Sequence, residues 1–311
     1  MQLPAHIEEH IESMVRGIPL ATLIKHFQQY SLSYRDGMSS QISLPSQMEK
    51  ICYLATRMPA TFGAVTAVFQ ECERRIGKVS SLLDFGAGPG TAFLSALELG
   101  WELKSAMLLE KSQEFIALGK QWTPSWVIWQ KGDLVKLHAV PKSDVAIFSY
   151  SLGEIPEQNF KELLAKAWDA TQKAIVIVEP GTPRGFKRIL QAREYLIGLG
   201  GRVVAPCPCN APCPMTNTEW CHFSIRISRS SLHRRIKHAQ LGYEDEKFCY
   251  MILAKEEGSP CKERVIKTPQ HVSGRIVLTL CTASGIQNKI VSKKEKDVFV
   301  FAKKTHWGMC F

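Results

Sequence analysis

The chain has 311 residues, 45% of them hydrophobic and 22% charged, with a formal net charge of +10. That length buries a core able to fold without disulfide staples, and no apolar run approaches the roughly 20 residues of a membrane helix. The positive surplus comes in runs at 226–229, 233–238 and 293–296, which favours a nucleic-acid partner, held by counterion release, over charge that only solubilises.

The opening segment MQLPAHIEEHIESMVRG is acidic and amphipathic, without the basic, apolar leader of a signal peptide or the Arg-rich bias of a transit peptide. It predicts a cytoplasmic protein in a reducing compartment, where grouped cysteines serve as metal ligands or catalytic groups rather than disulfides. Apolar residues at helical spacing (Ile7, Ile11, Met14, Val15, then Leu20, Leu23, Ile24, Phe27) predict two helices up to about residue 36. A further helix is expected from Pro45 to Ile76, so that residues 1–78 form an all-helical cap.

From Ser80 the pattern changes to short apolar runs, SLLDF, SAMLLE, WVIWQ, DVAIFSY and AIVIVE, separated by helical segments. Strands alternating with helices predict a parallel sheet covered on both faces, an α/β fold over residues 79–258. A helix at 186–198 leads into a Cys-rich insertion at 205–224, and FCYMILAK reads as a late strand. Residues 259–311, with β-branched runs around a Ser-Gly turn, read as a small β-rich C-terminal extension.

The first strand ends in Asp84-Phe85-Gly86-Ala87-Gly88-Pro89-Gly90-Thr91. Strand, glycine turn and helix N-terminus let backbone N–H groups approach a ligand closely. Thr91 stands where a dinucleotide fingerprint needs its last glycine; the acidic residue two positions before G-x-G-x-G instead matches the first motif of class I S-adenosyl-L-methionine-dependent methyltransferases. Asp84 then faces the cofactor's ammonium, with Gly86, Ala87, Gly88 and Gly90 wrapping the methionine part. Glu110, closing MLLE, suits the ribose hydroxyls, Asp133 in KGDL the adenine amine, and Ser149 joins them from the fourth strand end.

The acceptor side is Ser149-Tyr150-Ser151-Leu152-Gly153-Glu154. It lacks both the Asn/Asp-Pro-Pro-aromatic segment usual in amino-methylating enzymes and the cysteine nucleophile of carbon-5 pyrimidine methylation, so catalytic residues stay unassigned. Glu179 and Arg184, after the fifth strand, either line an acceptor pocket or belong to an ordinary Pro/Gly turn.

Cys207, Cys213 and Cys221 form C-x5-C-x7-C. Three thiolates do not close a four-coordinate site, so a fourth ligand must come from Cys209, His222, Cys249, Cys261 or Cys281, and the site takes zinc or an iron–sulfur cluster. Cys52, Cys72 and Cys249 read as small buried apolar side chains.

TRMPATFGAV, LLDFGAGPGTA, SYSLGE, IVEPGTPRGF, the cysteine loop with WCHFS, YEDEKFCYMILA and the terminal WG together resemble the ribosomal small-subunit methyltransferase-like family over nearly the whole chain. The resemblance implies a class I methyltransferase fold with a Rossmann-like sheet, and a 4Fe-4S cluster held by Cys207, Cys213, Cys221 and Cys281, with Cys209 outside the ligand set. It also implies a monomer that acts on the small ribosomal subunit and its rRNA, by methylation or as an assembly factor.

Overall fold

The N-terminal periodicity folds as α1 (Ala5–Met14) and α2 (Leu20–Arg35) in the computed structural model of the chain, which describes residues 1–35, 47–137, 139–215, 219–256 and 258–311. The helix expected from Pro45 to Ile76 is two, α3 (Gln47–Thr56) and α4 (Met58–Ile76), with residues 45 and 46 outside the described ones. Pro59 explains the break at Arg57: a proline in a first turn has no N–H to donate backward, and its ring displaces the carbonyl four residues before. Ile7, Ile11, Leu23, Leu54, Met58 and Phe62 bury one another in a small helical core.

The sheet region then runs β1 (Ser81–Phe85), α5 (Thr91–Glu98), β2 (Ser105–Glu110), α6 (Gln113–Trp122), β3 (Ile128–Lys131), β4 (Ser143–Ser149), α7 (Glu157–Ala170), β5 (Thr171–Pro180), α8 (Pro183–Gly198), β6 (Arg202–Ala205), β7 (Phe223–Ser228), α9 (Ser231–Lys237) and β8 (Tyr243–Ala254). The strand order is β3-β2-β1-β4-β5-β8-β6. β1 to β5 pair in parallel and β8 lies antiparallel to β5. This order, with one reversed strand inside the edge, is that of a class I methyltransferase.

β6 and β7 share the outer edge of β8: Val203 pairs with Leu253 and Phe223 with Phe248. The cysteine loop leaves the sheet between them. Helices α4 and α5 cover one face through Val65, Phe69 and Phe93, while α7 and α8 cover the other through Leu164, Trp168, Ile189 and Leu196. β4 is buried on both faces, which is why its sequence is a continuous apolar run. β8 reaches five residues further back than FCYMILAK, because the polar YEDEK segment pairs with β7.

The C-terminal residues form a second sheet of β9 (Arg264–Val265), β10 (Gln270–Val272), β11 (Arg275–Thr282) and β12 (Gly285–Ser292), followed by α10 (Lys296–Lys304). β11 and β12 make a hairpin across the expected Ser-Gly turn. The VFVF segment, which alternates like a strand, is helical: a capping box between Ser292 and Glu295 starts the turn before it. The extension is tied back by Arg264, whose guanidinium donates to the Pro206 and Gly308 carbonyls and pairs with Glu71 of α4. A disulfide joins Cys261 to Cys310. That pairing differs from the expectation of ligands or catalytic groups rather than disulfides, and it engages Cys261, one of the candidate fourth ligands, elsewhere.

Candidate functional site: a cofactor loop and a cysteine pocket

The order of the sheet reverses between β1 and β4, and the crevice above their carboxyl ends is where open α/β sheets take ligands. The glycine loop fills it. Gly86, Gly88 and Gly90 have φ of +84°, +55° and +86°, a run of left-handed backbone that side chains rarely adopt. A Cβ on Gly86 would stand 2.6 Å from the Ser151 Cβ.

Gly86 and Ala87 donate their N–H groups to the Leu109 carbonyl, each at 2.9 Å. Glu110 closes the loop from β2, accepting from the Gly88 N–H through Oε2 and from the Ser112 N–H through Oε1, both at 2.8 Å.

Asp84 is fully buried, and neither carboxylate oxygen has a hydrogen-bond partner. Burial, and then the neighbouring Glu110, push its carboxyl up to about 8. The hydroxyl oxygens of Thr91 and Ser149 are buried without partners as well. Unsatisfied buried acceptors are costly unless a donor arrives; here they lie on both sides of one switch point, so an ammonium with several N–H donors fits them.

Seven of the eight sequence-derived positions (Asp84, Gly86, Ala87, Gly88, Gly90, Glu110 and Ser149) therefore cluster at the ends of β1, β2 and β4. Asp133 follows β3 at the rim, exposed, with Oδ1 accepting from the Val135 N–H at 3.0 Å.

On the acceptor side Tyr150 takes a left-handed φ of 56°. Its N–H donates to the Val178 carbonyl at 2.8 Å and its hydroxyl to Glu246 Oε1 at 3.1 Å. Glu246 is in turn gripped by both terminal nitrogens of Arg57, at 3.3 and 3.2 Å. Sequence reasoning passed over Arg57 and Glu246, although both lie in motif segments it singled out. Glu179 is buried, accepts from the Gly153 N–H at 3.0 Å, and is pushed up to about 7 by burial. Arg184 is exposed, so the two do not form one pocket.

The cysteine loop is fixed from both ends. The side-chain amide of Asn210 bonds to Val203 and Gly201, while Arg193 donates to the carbonyls of Cys209 and Ala211 at 2.9 and 2.7 Å. Past residues 216–218, Trp220 donates to the Gly181 carbonyl at 3.0 Å, and the His222 ring stacks on Trp220 and meets Trp307 edge-on.

Cys207, Cys213, Cys221 and Cys281 all line one cavity, together with Cys249, whose thiol donates to the Cys221 carbonyl at 3.1 Å. Cys209 lines the neighbouring cavity with Arg193 instead. Burial, then the proximity of Cys207, Cys249, Cys213 and Cys281, holds the Cys221 thiol well above its ordinary value. Cys281 is likewise pushed up to about 12 by burial and by Cys207 and Cys213. Five thiols, three from the loop, Cys249 from β8 and Cys281 from β11, thus border one space. Among the described residues, however, no group of three or more His, Cys, Asp or Glu side chains is placed to hold a metal ion. The metal-site expectation extends in the structure only as far as that shared cavity.

Part of the basic surplus is spent internally. Arg226 pairs with Asp245, and Arg229 and Lys237 both pair with Glu244. Arg234, Arg235, Lys293, Lys294, Lys296, Lys303 and Lys304 are exposed. Among the described residues no helix is long and apolar enough to cross a membrane.

A family model described as mitochondrial small ribosomal subunit Rsm22 matches residues 47–311. The human mitochondrial ribosome assembly protein METTL17 is 26% identical over 96% of this chain and 68% of its own length. An Rsm22-cox11 tandem protein of Schizosaccharomyces pombe mitochondria is 21% identical over 84% of this chain, which spans 43% of that relative. Among solved structures, a TehB-like S-adenosylmethionine-dependent methyltransferase from Corynebacterium glutamicum is 13% identical with a TM-score of 0.41, covering 75% of this chain and 99% of that one.

Proposed function

The chain belongs to the mitochondrial small ribosomal subunit Rsm22 family, and from that premise we propose that it binds S-adenosyl-L-methionine and acts on the small ribosomal subunit through its rRNA. The observation that carries the cofactor reading is the pair of unpartnered Asp84 oxygens beneath the glycine loop. Asp84 would accept from the ammonium and Glu110 from the ribose hydroxyls, with Asp133 at the adenine edge and Ser149 on the acceptor side. The cofactor supplies an electrophilic methyl group on a sulfonium. The chain's own part is to fix that methyl against an RNA atom, with rate drawn from proximity and orientation.

Titration calorimetry tests the reading. Wild type is expected to bind the cofactor, and Asp84→Asn to weaken it at least tenfold, about 1.4 kcal/mol. Equal affinity in the two proteins would remove the argument.

A second reading keeps the cofactor site but makes the protein a non-catalytic assembly factor. It is favoured by Tyr150, whose hydroxyl is already engaged by Glu246 at the end of β4, and by the name of the human relative. Methyl transfer to small-subunit RNA in vitro separates the two.

For the cysteine pocket we favour a 4Fe-4S cluster on Cys207, Cys213, Cys221 and Cys281 over zinc. The all-thiol lining suits either group, and the preference for the cluster rests on the resemblance of the loop cysteines and Cys281 to a cluster-binding set. Such a cluster supplies a rigid crosslink between the two sheets. Anaerobic purification with iron, sulfide and zinc analysis decides between them. On this reading residues 1–78, 79–258 and 259–311 work as cap, cofactor unit and RNA-facing extension of a monomer, in whichever compartment its ribosomes assemble.

A further inference from the structure

We propose that Arg193 is the built-in counter-cation of the cysteine pocket, its Nε–H donating to the sulfur of Cys207 when that sulfur belongs to an anionic metal–thiolate centre. The inference rests on the cluster reading above and goes beyond it, because it assigns a residue that supplies no ligand atom.

Arg193 comes from α8, is 3% exposed, and lines the neighbouring cavity, which Cys207, Cys213 and Cys281 also border. One terminal nitrogen is occupied by the Cys209 and Ala211 carbonyls, yet Nε has no partner. A buried guanidinium with an idle donor is expensive unless an acceptor or an anion is due beside it. The second buried arginine near Cys207 makes the contrast. Arg264 has all three nitrogens committed, to Pro206, Gly308 and Glu71, and its charge is matched by the Glu71 carboxylate. Among the described residues no carboxylate pairs with Arg193.

Four thiolates around a cluster carry more negative charge than its iron and sulfide neutralise, and hydrogen bonds to the sulfurs are one of the levers that set its reduction potential. Adding an electron makes the centre more negative, so a nearby cation stabilises the reduced form. Removing that cation must favour the oxidised form.

The test is a redox titration of the anaerobically purified full chain, with dithionite as reductant, following the paramagnetic signal. Arg193→Met is expected to keep iron and sulfide at wild-type content while shifting the oxidised-to-reduced ratio at fixed potential at least tenfold toward oxidised, about 59 mV for a one-electron couple. Arg193→Lys, which keeps the charge, is expected to recover most of that shift. Loaded Arg193→Met with a ratio within twofold of wild type would overturn the proposal and leave the cluster itself standing. Wild type without iron and sulfide would sink the cluster reading beneath it.

A second measurement does not depend on how the variants fold. In wild type carrying guanidino-15N arginine, the reduced centre should show a resolved 15N coupling. Its absence overturns the Nε–H···S bond.

Discussion

Burial keeps the Asp84 carboxyl protonated up to about pH 8, so an ammonium that binds it must displace a proton. At pH 7 cofactor binding should release close to one proton per chain, and affinity should rise between pH 6 and 8. Calorimetry in buffers of different ionisation enthalpy reads the proton count directly. The same group makes a stability prediction for the cofactor-free protein. Asp84 and Glu179 ionise near pH 4 when unfolded but hold protons to about 8 and 7 when folded. The folded state therefore binds more protons across that interval, and these groups lower stability as pH rises from about 4 to about 8. Thermal unfolding across pH should show the slope, and Asp84→Asn should flatten it. The residue types at the loop were legible in the chain because Asp84 before G-x-G-x-G is followed by Glu110 and Asp133 at the ends of the next two apolar runs, whereas the glycines alone would read as an ordinary turn. Partner choice was not: Tyr150, Glu246 and Arg57 lie far apart in sequence, and only the fold brings them together.

Between elements, the main joint is the buried pair of Glu71 on α4 and Arg264 on β9. Burial opposes the Glu71 charge, yet Arg264 and Arg75 outweigh it and hold the carboxyl below its usual range. Removing Arg264 leaves Glu71 paired with Arg75 but takes the donors away from the Pro206 and Gly308 carbonyls, so Arg264→Leu should cost about 1–3 kcal/mol, measured by chemical unfolding. Cys281 of β11 borders the loop's cavity, and on the proposed cluster reading it would make the second joint. In protein loaded with metal, Cys281→Ser should speed proteolysis of residues 259–311 and weaken RNA binding while cofactor affinity stays within twofold. Unchanged protease resistance and RNA affinity would refute a stapling role. Strands buried on both faces were readable as apolar runs, whereas β6, β7, α9 and α10 were not. β7 is half polar, α9 is short, and the VFVF of α10 imitates a strand while leaving Val298, Val300 and Phe301 exposed.

Across the whole molecule, the fold class followed from the alternation of strands and helices, because each parallel strand needs a crossover to bring the chain back. The reach of the charge did not follow. Pairing within 226–246 engages Arg226, Arg229 and Lys237 internally, while the lysines around α10 stand exposed as one run that a polyanion could use. RNA affinity should therefore fall steeply with salt. Replacing Lys293, Lys294 and Lys296 by alanine should make that slope shallower by about 0.7–0.9 for each phosphate that is no longer neutralised, as read by fluorescence anisotropy. A slope unchanged by the triple replacement would move the RNA-binding surface elsewhere. The outer edge of β8 has one further consequence. β6 stops opposite Ile252 and β7 begins opposite Phe248, so only Cys249, Tyr250 and Met251 separate the points where the chain departs and returns. Pairing along a single strand already holds the ends of the loop together, so most of the entropy of closing it is met before any residue inside it is ordered. What the excursion from Pro206 to His222 carries can lengthen, shorten or change its chemistry without shifting the register of the sheet that holds the cofactor loop.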